Sequence, residues 1–427
     1  MSTQSLDSLC SVNPETLGAA TPLEFEFRYL DISAVTRGRI DWSATQLWKY
    51  ADAPSRARRR LRLGDVLLCT VRPGLQAHAR IRGEDDASLV GSTGFAVLRP
   101  NMPADSGFVF HQIFSDAVAA QLRALETGSS YPAVNEGDVR RVKVFCPEKE
   151  ERWRIAAVLD TVDEAIAKTE AVIAKLRQLR AGLLHDLLTR GLDAHGQLRD
   201  PIAHPEQFQD SPLGRIPSEW VFESLGERLQ RIGGIIQTGP FGSQLHAHEY
   251  TTEGVPVITP QDVLEGSVSV AQIARIPTAR ADELKRHRVR LGDLIFARRG
   301  DLSRCAAITA REVGWLCGTG CLLMRFGEST LSPHWLSLAY RHDIGQRQMA
   351  ARAVGTTMVN LNTKLLAHLQ FAFPPREEQD AAVLRVAEAD STIIQETANL
   401  SKLGVLKSGL MTDLLTGRVR VPTEKGK

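Results

Sequence analysis

The sequence predicts an α+β protein in which two diverged, mixed α/β globular regions are joined by two long antiparallel coiled-coil helices, with a pseudo-two-fold internal repeat. Three observations lead there. The chain has 427 residues, more than one hydrophobic core usually organises. It repeats itself, since a shift of 227 positions aligns Gly128–Leu192 with Gly355–Val419 without a gap. Each copy of the repeat also contains a long heptad seam.

The repeat is densest at the carboxyl ends of the helices. Between Lys175 and Thr189, nine of fifteen positions are identical to their partners at the 227 shift, so GLLHDLLTRG is echoed by GLMTDLLTGR. Earlier pairs include Gly128 with Gly355, Asn135 with Asn362, Pro147 with Pro374 and Glu150-Glu151 with Glu377-Glu378. Further upstream, at a shift of 228, RLRLGDVLL (60–68) meets RVRLGDLIF (288–296), and GSTGFAVLR and CGTGCLLMR follow. Each half therefore runs from a variable globular region into a long helix.

In the first helix Ile155, Leu159, Val162, Ile166, Ile173, Leu176, Leu183 and Leu187 form the seam, interrupted at Thr169 and Arg180. In the second, Ala382, Val386, Ala389, Ile393, Leu400, Leu403, Leu410 and Leu414 do so, interrupted at Glu396 and Lys407. Parallel pairing would bring Arg180 against Lys407, so antiparallel pairing is expected. Pro147 and Pro374 suit a first helical turn, and the glutamates that follow suit the positive end of the helix dipole. About 43 residues give a rod of roughly 65 Å. Gly191 and Gly417 are expected left-handed stops. The polar, proline-containing stretch 191–211 reads as a linker. Only a short tail follows the second helix, so the amino-terminal residues are expected to supply the equivalent joint.

Composition narrows the function classes. With 43% hydrophobic and 24% charged residues and a formal charge of +2, the chain is an ordinary globular protein without a global bias toward nucleic acid. No basic start and apolar run opens it, and no segment offers the ~18 apolar residues of a membrane span, so a cytoplasmic, membrane-free protein is expected. Six cysteines do not make a disulfide framework, and Cys317 and Cys321 lack companions for a zinc site.

Charge is instead placed locally. Arg56, Arg58, Arg59, Arg60 and Arg62 precede the first LGD, and Lys285, Arg286, Arg288 and Arg290 the second. Such clusters neutralise backbone phosphates. The loops GSSYPAVN and GTTMVNLN add Ser129, Ser130, Asn135, Thr356, Thr357, Asn360 and Asn362, and GPFGSQL adds Ser243 and Gln244, groups able to bond phosphates or base edges. The same residues also suit turns that close on their own backbone. Catalytic signatures are missing: there is no phosphate loop, no dinucleotide turn, and no Asn- or Asp-Pro-Pro-aromatic tetrapeptide. Glu283 and Lys285 have only the adjacent Asp282, and His185, His246 and His248 with Glu249 make no convincing nucleophile or metal set.

GLLHDLLTRGLD followed by GQLRD and SPLGRIPSEW, the PPREEQ helix start, the TGPFGSQL loop and the closing GLMTDLLTGRVRV together resemble the specificity subunits of Type I restriction-modification systems, along nearly the whole chain. The resemblance implies target recognition domains at 22–146 and 212–373 and conserved spacer helices at 147–190 and 374–417 that act as a ruler. It implies a non-catalytic subunit that reads a split, asymmetric site in double-stranded DNA. Two methyltransferase subunits carrying S-adenosylmethionine would dock on it, with restriction subunits carrying ATP and Mg. The chain itself would bind no cofactor or metal. The competing classes are a methyltransferase or nuclease with its own active site, and a structural coiled-coil adaptor.

Overall fold

The structure, a computed structural model, describes residues 3–83, 88–128, 131–241, 244–327, 330–353 and 360–422. Two compact units share the chain: unit 1 is Met1–Val172 with Glu396–Lys427, and unit 2 is Ile173–Gln395.

Unit 1 begins with strand β1 (Thr3–Ser5), helix α1 (Leu6–Leu9) and β2 (Cys10–Val12). There follow β3 (Glu26–Leu30), the small hairpin β4 (Val35–Thr36) and β5 (Arg39–Ile40), β6 (Gln46–Lys49), β7 (Ala57–Leu61), β8 (Val66–Cys69), β9 (Ala79–Arg80), β10 (Leu89–Ser92) and β11 (Phe95–Pro100). Helices α2 (Ser106–Gln112), α3 (Asp116–Leu125) and α4 (Glu136–Arg141) lead to β12 (Lys143–Phe145) and the 41-residue α5 (Lys149–Thr189). Two four-stranded sheets result, ordered β6-β3-β10-β7 and β2-β11-β8-β9, and β1 pairs with β12. In the first, β3 and β10 are parallel. The apolar runs VLLC of β8 and FAVL of β11 are buried throughout, which is why they form a central pair with helices against them.

Unit 1 also takes in residues ahead of the stretch 22–146. Residues 3–12 supply β1 and β2, which hydrogen-bond β12 and β11, and the buried side chains Leu6, Leu9, Cys10 and Val12 belong to that core.

Unit 2 opens with the hairpin β13 (Phe208–Ser211) and β14 (Gly214–Pro217), then β15 (Val221–Ser224), α6 (Leu225–Arg231), β16 (Ile235–Thr238), β17 (Val255–Ile258), β18 (Glu265–Gly266), β19 (Ala274–Ile276) and α7 (Thr278–Glu283). Strands β20 (Leu294–Ala297), β21 (Cys305–Ala307), β22 (Leu316–Cys317) and β23 (Cys321–Arg325) precede α8 (Pro333–Arg341), α9 (Asp343–Ala353), α10 (Thr363–Ala367), β24 (Gln370–Phe373) and the 39-residue α11 (Arg376–Leu414). The sheet orders are β16-β23-β20-β21-β18 and β19-β17-β22, with β15 on β24. The run β16-β23-β20-β21 matches β2-β11-β8-β9. The parallel pair β17–β22 matches β3–β10.

One buried ion pair occurs in each unit at the same place. Asp65 accepts the Arg62 amide and both arms of Arg99; Asp293 accepts the Arg290 amide and both arms of Arg325. The aspartate of each LGD thus ties the turn before β8 or β20 to the end of its neighbouring strand.

Every seam residue named from the heptad pattern is buried or half-buried. Within unit 1, Ile155 and Leu159 cluster with Leu414 and Leu415, and Asp163 pairs with Lys407 at 2.5 Å. Within unit 2, Arg180 pairs with Asp390 at 2.7 Å, and Leu187 shares a core with Ala382 and Val386. In both units a step forward along α5 meets a step back along α11, so the contacts run antiparallel. Gly191 and Gly417 have φ of +63° and +74°, the left-handed stop that a Cβ would oppose. The prolines differ from expectation. Pro147 and Pro374 lie ahead of the helices, because the first helical amide bonds, Arg152 to Glu148 and Gln379 to Pro375, start one residue beyond them.

The stretch 191–211 is not a loose linker. Leu192 and Arg199 are buried, Leu192 bridges Leu198, and residues 208–211 are β13. The amino-terminal residues do not supply the corresponding joint either. They form β1, and the tail after α11 makes the joint itself: Arg420 and the Val421 amide bond to Glu151.

Candidate nucleic-acid interface

The first basic run is strand β7, so its side chains alternate. Ala57 and Leu61 point into the unit, and Arg59 follows them, its side chain 19% exposed beside Glu136 at 4.0 Å and bonded to Thr16; burial pushes its guanidinium down from the usual range. Arg58 and Arg60 take the other face, stacked over Tyr50 at 5.0 Å and Phe25 at 5.5 Å. Arg56 is exposed, and Arg62 is ion-paired to Glu15.

The second run folds differently. Lys285–His287 is a 3₁₀ turn, and strand pairing shrinks to a single bridge from Arg288 to Leu316 of β22, where β7 pairs with β10 over its whole length. Lys285, Arg286 and Arg290 are exposed, whereas Arg288 bonds to Asp282 at 2.7 Å and to the Gly314 carbonyl. Of the nine predicted cations, then, Arg59, Arg62 and Arg288 are committed to protein partners. Arg56, Arg58, Arg60, Lys285, Arg286 and Arg290 have no acidic partner among the described residues.

The polar candidates in the loops divide too. Asn135 Oδ1 accepts the Asp138 amide at 3.0 Å in a capping box that starts α4, and Asn362 Oδ1 accepts the Leu365 amide at 2.8 Å to start α10. Gln244 Oε1 accepts the Phe241 amide. These three act as turn and cap residues, the reading in which the loop closes on its own backbone. Asn360 is exposed. Ser129, Ser130, Ser243, Thr356 and Thr357 lie outside the described residues.

Among the described residues one His/Asp cluster approaches metal-ligand spacing: His111, Asp160 and Asp163 in unit 1. Its charges are already matched. Asp160 accepts Arg80 and Arg82 at 2.8 Å and His111 at 2.9 Å, and Asp163 holds Lys407. Burial alone would raise the Asp160 carboxyl, but bonds from His111 and Arg80 outweigh it and hold it below the ordinary range. Three cations around two carboxylates leave no place for a fourth, so the cluster fastens β9 and α2 to α5. His246 and His248 stack on each other at 5.4 Å, while Glu249 caps His246 and pairs with Arg280, so these side chains do not gather a ligand set. All six cysteines are free and buried.

Two pairs of side chains have tertiary partners that the sequence pattern did not assign. Glu378, near the start of α11, accepts the Leu192 amide and Arg199 at 2.7 Å and the Trp220 indole at 3.1 Å. Glu151, at the matching place in α5, accepts Val421 and Arg420. Each glutamate thus grips the segment that follows the other helix's glycine stop. The second pair is Asp163 and Asp390, which neutralise Lys407 and Arg180. The signal was present: Glu151 and Glu378, Asp163 and Asp390, and Arg180 and Lys407 are all related by the 227 shift.

The same frame occurs in known proteins. No family model matches the chain. In sequence it is 21% identical over 341 residues to the Type I restriction enzyme MjaVIII specificity subunit of Methanocaldococcus jannaschii, covering 78% of this chain and 75% of that one. This chain is a relative of Type I specificity subunits. Among solved structures, a chain from a study of complex assembly and conformational transition of the type I R-M system matches with a TM-score of 0.59 at 24% identity, over 98% of both chains. The Type-I restriction-modification system S subunit from M. genitalium matches with a TM-score of 0.57 at 17% identity, over 97% of this chain and 96% of that one. Those structures share the fold across almost the full length. No described helix is long and apolar enough to cross a membrane.

Proposed function

We propose that this chain is the non-catalytic, sequence-specific DNA-binding subunit of a Type I restriction-modification complex. In this reading each unit reads one half of a bipartite, asymmetric site in double-stranded DNA. The observation that carries it is the recurrence, in a relative of Type I specificity subunits, of one strand order with a basic run beside the parallel pair of each unit. The exposed cations Arg56, Arg60, Lys285, Arg286 and Arg290, with the half-buried Arg58, would neutralise phosphates and hold the units on the duplex. Two diverged units need not prefer the same bases, which makes the site asymmetric. The number of residues in α5 and α11 sets the spacer between half-sites, near one helical turn of roughly 34 Å.

Chemistry belongs to the partners. Two methyltransferase subunits would bring S-adenosylmethionine, and restriction subunits ATP and Mg.

Modified-base sequencing of host DNA with the gene intact and deleted tests the proposal. A split motif that loses methylation on deletion is the expected result; methylation unchanged at every motif counts against it. Adding one heptad to a single long helix should alter the spacer and leave both half-sites intact. Altered half-site bases would end the ruler reading.

A further inference from the structure

Arg72 stands in a conformation that side chains avoid. It lies three residues past β8 with φ +48° and ψ +56°, left-handed geometry that crowds any residue bearing a Cβ. Unit 2 reveals what this position asks of the chain. Extending the 228 shift past RLRLGDVLL and RVRLGDLIF places Arg72 on Gly300, whose φ is +75°.

The backbone hydrogen bonds establish the same equivalence independently. The Thr70 amide bonds to the Gly94 carbonyl and the Thr70 carbonyl accepts from Val134; the Arg298 amide bonds to the Gly320 carbonyl and the Arg298 carbonyl accepts from Leu361. Both units therefore turn left-handed here. Unit 2 uses the residue that does so without strain, and unit 1 keeps arginine.

The side chain explains what the strained backbone holds. The Arg72 amide donates to Pro132 at 2.7 Å, Val71 bridges Ala133, and the guanidinium lies over the Tyr131 ring at 4.7 Å. Pro73 is buried and anchors the turn, while Tyr131 is 71% exposed and Arg72 and Leu75 are exposed beside it. Backbone pinning and the ring contact place the guanidinium at the surface beside Tyr131. Held there, the two-pronged fork suits the paired O6 and N7 acceptors of guanine in the major groove, the commonest specific contact of arginine with a base; a phosphate would accept the same fork but would show no base preference. Strained backbone concentrates where a side chain must be aimed.

We propose that Arg72, aimed by its left-handed backbone and by Tyr131, reads a guanine in the half-site of unit 1. The assignment rests on the DNA-reading function proposed above.

The test is modified-base sequencing of cells whose gene carries R72G or R72K. R72G installs the residue unit 2 already uses and removes the strain, so the protein should fold and its thermal stability should not drop. R72K keeps the charge but loses the two-pronged fork. Both variants should still methylate a split motif with the same spacer and the same unit 2 half. At one position of the other half, guanine should lose about 10- to 100-fold of its preference, so that new bases are accepted there. An unchanged motif in both variants overturns the inference, as does methylation lowered or lost without any new base accepted, which would assign Arg72 to phosphate or to folding. Absence of any gene-dependent motif in the wild type would instead overturn the DNA-reading function itself.

Discussion

Removing the carboxylate of Glu378 should destabilise unit 2 far more than removing that of Glu151 destabilises unit 1. The two glutamates hold equivalent places, but their partners differ. Arg199 is 7% exposed and Glu378 9%, and the buried Trp220 indole and Leu192 amide converge on the same carboxylate. E378A leaves the buried Arg199 guanidinium only the exposed Glu219 carboxylate at 3.1 Å and strands the Leu192 and Trp220 N–H donors, a loss of about 3–5 kcal/mol. Arg420 is 64% exposed, so in E151A it returns to water, and the cost is that of the lost carboxylate bonds, about 1–2 kcal/mol. A chain with two units does not unfold as one step, so native-state hydrogen exchange, read unit by unit, is the suitable assay. The difference of about 2–3 kcal/mol corresponds to roughly 30- to 150-fold faster exchange in the core of unit 2 of E378A than in unit 1 of E151A, each relative to wild type. Combining R199M with E378L removes both charges and should recover most of the loss. Equal effects at the two sites, or a loss under about 1 kcal/mol in E378A, would refute the argument from burial.

Three other outcomes follow from the same structure. Reversing Asp390 to lysine should cost about 1 kcal/mol by setting it against Arg180, and R180E in the same chain should restore the lost stability; additive effects in the double-mutant cycle would deny the pairing. Bonding to Arg420 holds the Glu151 carboxyl below its ordinary value of 4.5, so its contribution is complete above that pH and is lost as pH falls through the lower, folded value. Titrating hydrogen exchange of the Val421 amide downward from pH 5 should show protection in wild type fading below pH 4.5, with no such step in E151Q. A thiol reagent at neutral pH should label none of the six cysteines in the native protein, since all are buried and burial pushes Cys10 and Cys305 up to about 12; fast labelling of any one would contradict the packing described.

The long helices, their seams and their stops were legible in the sequence because each depends on local rules. A heptad period marks the buried face over forty residues, and a left-handed stop selects glycine at 191 and 417 from backbone geometry alone. Asn135 and Asn362 were legible as residues that matter, but not as caps rather than nucleic-acid ligands, since an asparagine able to accept an amide can equally reach a base.

What only the tertiary structure decided are the pairings between residues far apart in the chain. Glu151 finds Arg420, Glu378 finds Arg199, and Asp163 finds Lys407; no local period encodes which acid meets which base. The basic runs show the same limit. Nearly the same charges sit before both LGD motifs, yet one becomes a strand and the other a 3₁₀ turn, because neighbours from elsewhere in each sheet determine whether the run finds a full partner. Left-handed Arg72 was invisible for the same reason: the residue type gives no hint of positive φ, which goes with the bond from its amide to the Pro132 carbonyl and the bond from the Val134 amide to the Thr70 carbonyl, both to a distant loop.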